Sequence, residues 1–161
     1  MTQQQGLWLK QAASDYAMIG RLKGSPECHR VHYLQMATEK LAKVYHCRHG
    51  PPASLSHHVL EQFLRSIEIR ADFHELFGYS RANSFALVWP KILALAIEIQ
   101  NLAPAGNTGT NPEYPFPRAA PTTAPVDHPF PQWKDWNETN AGRRLRHFVE
   151  NLLKDYTTIF P

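Results

Sequence analysis

Hydrophobic residues recur along most of the chain at intervals of three and four positions, the spacing that places them on one face of an α-helix. No stretch of useful length alternates between apolar and polar residues, as a half-buried β-strand would. The spacing predicts five helices, with the approximate bounds Leu7–Lys23, Pro26–Gly50, His57–Phe77, Arg81–Leu102 and Glu138–Tyr156. Because most connections between them are short, we predict an all-α fold, an up-and-down bundle that forms a single domain over residues 1–161.

The prolines are distributed unevenly along the chain. Eight of the 13 lie between Pro104 and Gln132, where the helical spacing stops, and they predict a long extended loop before the last helix. Pro90 falls inside the fourth predicted helix and is expected to kink or restart it, since proline lacks a backbone donor and clashes with the preceding turn. The run Phe85–Ile97 is apolar nearly all round and predicts the central helix of the bundle.

The composition gives evidence on three points: an anionic partner, the cellular compartment and membrane contact. A net charge of +3 and a pI near 9.0 permit an anionic partner, but this excess is small beside nine histidines that are close to neutral. Two cysteines and the lack of a basic-then-apolar leader favour a reduced environment, and we expect a cytoplasmic protein. The longest apolar run is short for a membrane span and contains Lys91, so no membrane contact is expected.

Four of the nine histidines and both cysteines lie between Cys28 and Gly50, which raises the question of a metal site. Cys28 and His32 are spaced i, i+4 and His46 and His49 are spaced i, i+3, so either pair could supply two ligands from a helix. However, the 18 positions from Cys28 to His46 correspond to roughly 27 Å at about 1.5 Å per residue. The two pairs cannot share one ion, and no other segment offers a matching pair. We therefore predict no metal and no other cofactor.

Three charged residues on the first two predicted helices are interpreted as structural, namely Asp15, Glu39 and Lys40. Asp15 falls on the apolar face of the first helix, where an ion pair with a basic residue such as Lys40 would compensate for its burial. Glu39 has the favourable i, i+4 order with Lys43, which predicts a pair on the solvated face of the second helix.

A basic segment begins the last predicted helix, directly after a loop that contains several aromatic residues. Helix starts bind anions and aromatic rings stack on bases, so this region is a candidate site for a nucleotide or another anion. The candidate residues are Arg143, Arg144, Arg146, His147, Tyr114, Trp133 and Trp136. The alternative is that the basic residues form a solvated turn and the aromatic residues only fix the loop to the bundle.

Several motifs occur in the order found in one family of helical bundles. The run QMATEKLAK, Gln35–Lys43, matches the pattern Q-x-A-x-E-K-x-x-K, and WLKQAASDYAMIGRL, Trp8–Leu22, matches W-x-x-x-A-x-x-D. SHHVLEQFL, Ser56–Leu64, is similar to a T-H-x-L helix start, and PEYPFP, Pro112–Pro117, to an R-Y-P element before a final helix. This ordered set spans nearly the whole chain and resembles the HEPN domains, the higher-eukaryote and prokaryote nucleotide-binding helical bundles.

The resemblance implies a bundle of four to five helices that is usually dimeric. Many members of the family are metal-independent ribonucleases that use an arginine, four to six spacer residues and a histidine. Here Arg143 and His147 are separated by only three residues, as are Arg70 and His74, and Tyr33 stands where the family's second-helix histidine is usual. We therefore expect a non-catalytic HEPN-like binding or interaction module. A divergent ribonuclease that uses Arg143 and His147, which share one helix face, is the alternative.

The same resemblance suggests partners for the chain. We expect a homodimer, with nucleotide or RNA as a ligand, or association with a nucleotidyltransferase or a defence system.

Overall fold

The computed structural model describes residues 1–49, 59–79, 82–102, 110–114, 116 and 122–160, and in these ranges the fold is all-α, as predicted. The helices are α1 (Gln3–Arg21), α2 (Glu27–His46), α3 (Val59–Ile67), α4 (Ala71–His74), α5 (Ala82–Gln100), α6 (Pro131–Glu138) and α7 (Asn140–Ile159). Short 3₁₀ turns occupy Cys47–His49, Glu75–Phe77 and Pro125–Asp127. None of the helices in the ranges given above is long and apolar enough to cross a membrane.

The first helix begins four residues earlier than its hydrophobic spacing predicts. The Thr2 hydroxyl accepts a hydrogen bond from the Gln5 backbone, and the Gln5 side chain accepts one from the Thr2 backbone at 2.7 Å. This reciprocal capping box satisfies two backbone donors that a helix start otherwise leaves unpaired. Polar residues therefore set the start of α1, so hydrophobic spacing alone places it too late.

The third predicted helix is divided into three short elements. α3 ends at Ile67, the backbone of Arg70 is extended, and α4 and a 3₁₀ turn follow before Gly78. Gly78 has a φ of 77°, in the left-handed region that glycine adopts without steric cost. The predicted start of this helix at His57 lies outside the described residues.

The Pro-rich segment is shorter than predicted at its C-terminal end. Within its described part, Phe116 and Thr123 form an isolated antiparallel bridge, and a single 3₁₀ turn follows. α6 then begins at Pro131, inside the predicted loop, because proline is well suited to the first position of a helix. Trp133 and Trp136 consequently lie on a helix and not on the loop. The predicted last helix, Glu138–Tyr156, corresponds to α7, and Thr139 separates it from the additional helix α6.

The central helix of the bundle is α2 and not the more apolar α5. α2 packs against α1, α3, α5, α6 and α7, and 12 of its 20 residues are buried. α5 runs through Pro90 as one helix, but it leaves one face exposed. The exposed residues on that face are Ala86, Leu87, Pro90, Lys91, Ala94 and Glu98. Pro90 has no backbone N–H group, so one carbonyl group in the preceding turn lacks its hydrogen-bond donor. Because Pro90 is on the exposed face, water can bind that carbonyl group, which explains why the helix continues.

Charged and amide side chains are buried where α2 meets α1. Lys40 Nζ lies 2.8 Å from Asp15 Oδ2, with both side chains less than a tenth exposed, so the predicted pairing of these two residues is confirmed. Lys43 pairs with Glu39, which also accepts a hydrogen bond of 2.8 Å from Gln35. The prediction that Glu39 and Lys43 form a surface pair is wrong. α1 covers this face of α2, so the ammonium group of Lys43 lies over the Trp8 ring at 5.1 Å from its centroid.

Replacement of Asp15 by alanine is expected to lower the free energy of unfolding by about 3–5 kcal/mol, because Lys40 would remain as a buried charge without its partner. Urea denaturation followed by circular dichroism measures this change. The matched control is Asp72→Ala, which removes an aspartate from its exposed pair with Arg70 and should cost less than about 1 kcal/mol. Equal effects of the two substitutions would contradict a stabilising role for the buried pair.

Candidate functional site

A cavity of about 540 Å³ lies between the C-terminal half of α1, the start of α2, α6 and α7. Its volume falls within the range of about 300–1,000 Å³ that is typical of small-molecule sites. The residues that line it are Tyr16, Ala17, Ile19, Gly20, Lys23, Arg30, Trp133, Trp136, Asn137, Arg146 and Glu150. They come from four helices and the turn after α1, so the cavity exists only when the bundle is assembled.

Three cationic side chains line this cavity: Lys23, Arg30 and Arg146. Arg146 donates a hydrogen bond of 3.2 Å to Asn137 Oδ1. The Nε atom of Arg30 is buried and has no hydrogen-bond partner within the described part of the chain. The Arg30 side chain is only partly buried, so the rest of its guanidinium group can donate charge-assisted hydrogen bonds to an anionic ligand in the cavity.

Aromatic rings provide the apolar part of the lining. The guanidinium carbon of Arg30 lies 4.8 Å from the centroid of the Trp133 ring, within cation–π range. Trp133 is partly buried and Trp136 is 2% exposed, so α6 is fixed to the bundle mainly through Trp136. Cationic groups beside flat aromatic surfaces are the combination that binds phosphate and a stacked base in nucleic-acid sites.

A hydrogen bond between α1 and α7 connects two walls of the cavity. The Tyr16 hydroxyl donates to Glu150 Oε1 at 2.8 Å. Burial raises the pKa of Tyr16, and the hydrogen bond to Glu150 raises it further. Tyr16 therefore remains protonated at neutral pH and acts as the donor that orients the Glu150 carboxylate.

The close approach of α6 to α7 positions the tryptophans. Thr139 caps α7 by accepting a hydrogen bond of 3.0 Å from the Gly142 backbone, and its hydroxyl donates to the Asp135 carbonyl at 2.7 Å. A Cβ atom at Gly142 would lie only 2.0 Å from that Asp135 carbonyl oxygen and 2.6 Å from Trp136 Cα. Only glycine therefore permits this packing of the two helices.

Three of the seven candidate residues line the cavity: Arg146, Trp133 and Trp136. Arg144 and Arg146 are two positions apart, which places them about 160° apart around α7. Arg144 therefore points to the opposite side, where it donates to the Gly78 carbonyl at 2.9 Å and lies 4.4 Å from the Tyr79 ring.

The other candidates lie apart from this cavity. Arg143 is exposed and donates to the Glu138 carbonyl at 2.7 Å. His147 is also exposed, one turn further along α7. Tyr114 is 61% exposed on the Pro-rich segment. The geometry thus gathers only part of the predicted cluster into one site.

Sequence reasoning missed five polar residues of the cavity: Tyr16, Lys23, Arg30, Asn137 and Glu150. A partial signal was present, because Tyr16 and Lys23 are seven positions apart on the predicted first helix, which would place them on one face, and Arg146 and Glu150 share a face of α7 at i, i+4. Nothing in these spacings indicates that the two faces meet, since that depends on how α1 packs against α7.

The histidine-rich second helix does not bring its potential ligands together. His32 Nδ1 lies 3.2 Å from Glu113 Oε1, whereas His46 Nε2 contacts the Val59 carbonyl at 3.1 Å. Cys28 and Cys47 are buried, and burial raises the pKa of both thiols. Across the described residues, no group of three or more histidine, cysteine, aspartate or glutamate side chains is arranged to hold a metal ion. The side chain of His49 lies outside the described part.

Comparison of the chain with protein-family models, with curated proteins and with solved structures found no match. The resemblance to HEPN domains therefore stays a prediction, and the functional proposal depends on the cavity itself.

Replacement of Gly142 by alanine is expected to destabilise the protein by about 3 kcal/mol, the upper end for overpacking, because backbone atoms of α6 must move. The movement should also change the tryptophan fluorescence spectrum, since Trp133 and Trp136 are on α6. The measurements are urea denaturation and emission spectra. Gly6→Ala is the control, because a Cβ there meets only the Met1 side chain at 3.6 Å, and it should be neutral or stabilise by up to about 1 kcal/mol. Equal stability of both variants would show that α6 and α7 do not pack this closely.

Proposed function

We propose that this chain is a non-catalytic HEPN-like binding module whose cavity between α1, α2, α6 and α7 holds a nucleotide or a nucleotide unit of RNA. The observation that carries the proposal is the convergence of three cations and two tryptophan rings in one cavity of a chain with a net charge of only +3. Arg30 and Arg146 would bind phosphate oxygens, and Trp133 would stack on the base. A nucleotidyltransferase or a defence system, as the resemblance implies, is the proposed biological partner.

The two arginines have different reasons to bind phosphate. Arg30 has a buried Nε without a partner, whereas Arg146 is held in position by its bond to Asn137. A guanidinium that is already oriented loses less side-chain entropy when it binds a phosphate. Arg143 serves as a matched reference, because it lies on the same helix but is exposed and does not line the cavity.

Replacement of Arg30 or Arg146 by glutamine is expected to weaken binding of a short random-sequence single-stranded RNA about tenfold, since each removes a charge-assisted hydrogen bond. Each should also lower the slope of log affinity against log salt by about one. Fluorescence titration at several salt concentrations measures both quantities. Arg143→Gln should leave affinity unchanged, and thermal melting should confirm that all three variants are folded.

Two outcomes would contradict this proposal. If Arg143→Gln weakened binding while Arg146→Gln did not, the anion would bind on the outer face of α7. If the protein cleaved RNA without metal, and if both Arg143→Ala and His147→Ala abolished cleavage, the chain would be the divergent ribonuclease and not a binding module.

We extend the proposal to assembly and infer that two copies of the chain pair through the exposed face of α5. Leu87 is 80% exposed there, beside Pro90 and Ala94. Lys91 and Glu98 lie on the same face and are seven positions, or about two helical turns, apart. In an antiparallel pairing about a two-fold axis between them, Lys91 of each copy would face Glu98 of the other. This self-complementary charge pattern favours a second copy over an unrelated partner.

Light scattering at micromolar concentration is expected to give the mass of a dimer, and Leu87→Arg should give that of a monomer because it places a charge in an apolar interface. Lys91→Glu should weaken the dimer, and adding Glu98→Lys should restore it, since the second change re-creates opposite charges. Leu7→Arg is the control, as Leu7 is a 63% exposed leucine on α1. A monomeric wild-type protein would refute the assembly.

A further inference from the structure

We propose that the base bound in the cavity is guanine, with Glu150 as the residue that selects it. The inference rests on the proposed nucleotide-binding function and adds the identity of the base. Glu150 is the one carboxylate among the described lining residues, beside three cations, and a carboxylate repels the phosphate that those cations would bind.

An ion pair with one of the cations in the cavity does not explain why Glu150 is there. Arg146 and Glu150 are spaced i, i+4 on α7 and could pair with each other, but each takes a different neighbour. Arg146 donates to Asn137 on α6, and Glu150 accepts from Tyr16 on α1. Within the described chain no cation lies within ion-pair distance of Glu150. Arg146 and Glu150 both act electrostatically on Tyr16, so the carboxylate borders the cationic part of the cavity without being ion-paired to it.

The remaining acceptor capacity of Glu150 defines what it can bind. The Tyr16 hydroxyl occupies one lone pair of Oε1, and no other hydrogen bond to this carboxylate is made by the described residues. An ionised carboxylate only accepts hydrogen bonds, and it can accept two parallel ones from adjacent donors. A ligand that presents two neighbouring N–H groups to this exposed carboxylate would therefore use its remaining capacity fully.

Among the four RNA bases, guanine presents that pattern on its Watson–Crick edge, through N1–H and the N2 amino group. The adenine and cytosine edges place a ring-nitrogen acceptor beside their amino group, and that acceptor would face the carboxylate. Uracil presents one N–H between two carbonyl oxygens. Reading of an exposed base by hydrogen bonds to its edge, with aromatic stacking on its face, is a common form of recognition in RNA-binding proteins. Trp133 lines the same cavity and supplies a face for stacking.

Tyr16 acts as a positioning residue in this arrangement. Its hydroxyl fixes one oxygen of Glu150 at 2.8 Å, and the carboxylate is thereby held toward the cavity formed by α1 and α7. Without that hydroxyl, Glu150 would keep its charge, but its carboxylate would no longer be held in one orientation. Tyr16→Phe is thus expected to reduce discrimination among bases. It should have little effect on the part of the binding free energy that comes from the phosphate.

Calorimetric titration of the full chain with GMP, IMP, AMP and CMP tests the inference. GMP should bind at least tenfold more tightly than AMP or CMP, and IMP, which lacks the N2 amino group, should be intermediate. Glu150→Gln should lower GMP affinity about tenfold or more and leave AMP unchanged or slightly tighter, because a negative charge is lost. Tyr16→Phe should give a smaller loss of GMP preference. Glu138→Gln, an exposed glutamate outside the cavity, is the matched control.

The outcomes separate this inference from the function on which it depends. If all four nucleotides bind equally and Arg146→Gln weakens each of them, the nucleotide-binding function stands and guanine selection is overturned. If GMP is preferred but Glu150→Gln keeps the preference, the assignment of Glu150 is overturned. If none of the four nucleotides and no RNA binds, the proposed function fails as well.

Discussion

The buried ion pair between Asp15 and Lys40 constrains how α1 lies on the central helix α2, and one wall of the candidate site depends on that contact. A buried charge without a partner costs several kcal/mol, so α1 can lie on α2 only in the register that brings these two side chains together. An apolar contact between two helices would tolerate a shift of one turn much better. With the register fixed, the C-terminal half of α1 carries Tyr16 to the cavity, and the turn that follows α1 carries Lys23 there. The polar contact between α1 and α2 therefore determines where one wall of the candidate site lies.

The opposite wall depends on a constraint of a different kind. α6 and α7 meet so closely at Gly142 that any side chain there would overlap the backbone of α6. This contact places Trp133 and Asn137 beside Arg146, although α6 and α7 are separate helices. The hydrogen bond from Tyr16 to Glu150 then joins the two walls across 134 positions of sequence. Each wall is fixed by its own local contact, and the cavity is the space left between them.

In a simple bundle the most apolar helix would be the most buried, but here the more polar α2 is more buried than α5. α2 contains buried glutamate and lysine side chains and is central, since pairing within α2 and with α1 compensates for their charge. α5 is more apolar, but it leaves one face open to solvent, where Leu87 is exposed. An apolar side chain on an exposed helix face gains free energy when a partner covers it. The proposed two-fold pairing would cover it and leave the cavity free.

Sequence alone determined the helical class and most of the apolar stripe on the last helix, because periodicity of three and four residues reports directly on burial along one face. Leu145, Phe148, Val149, Leu152 and Tyr156 are all buried as their spacing predicts. It also identified the partner of Asp15, since a charge on an apolar face needs compensation. The sequence could not show which face of α5 is exposed, because its apolar run is nearly uniform and has too few polar residues to mark one face. Only the tertiary structure decided which of the basic and aromatic residues share a site. That choice depends on the rotation of α7 about its axis and on its contacts with α1 and α6, and these arise from packing between segments that are far apart in the chain.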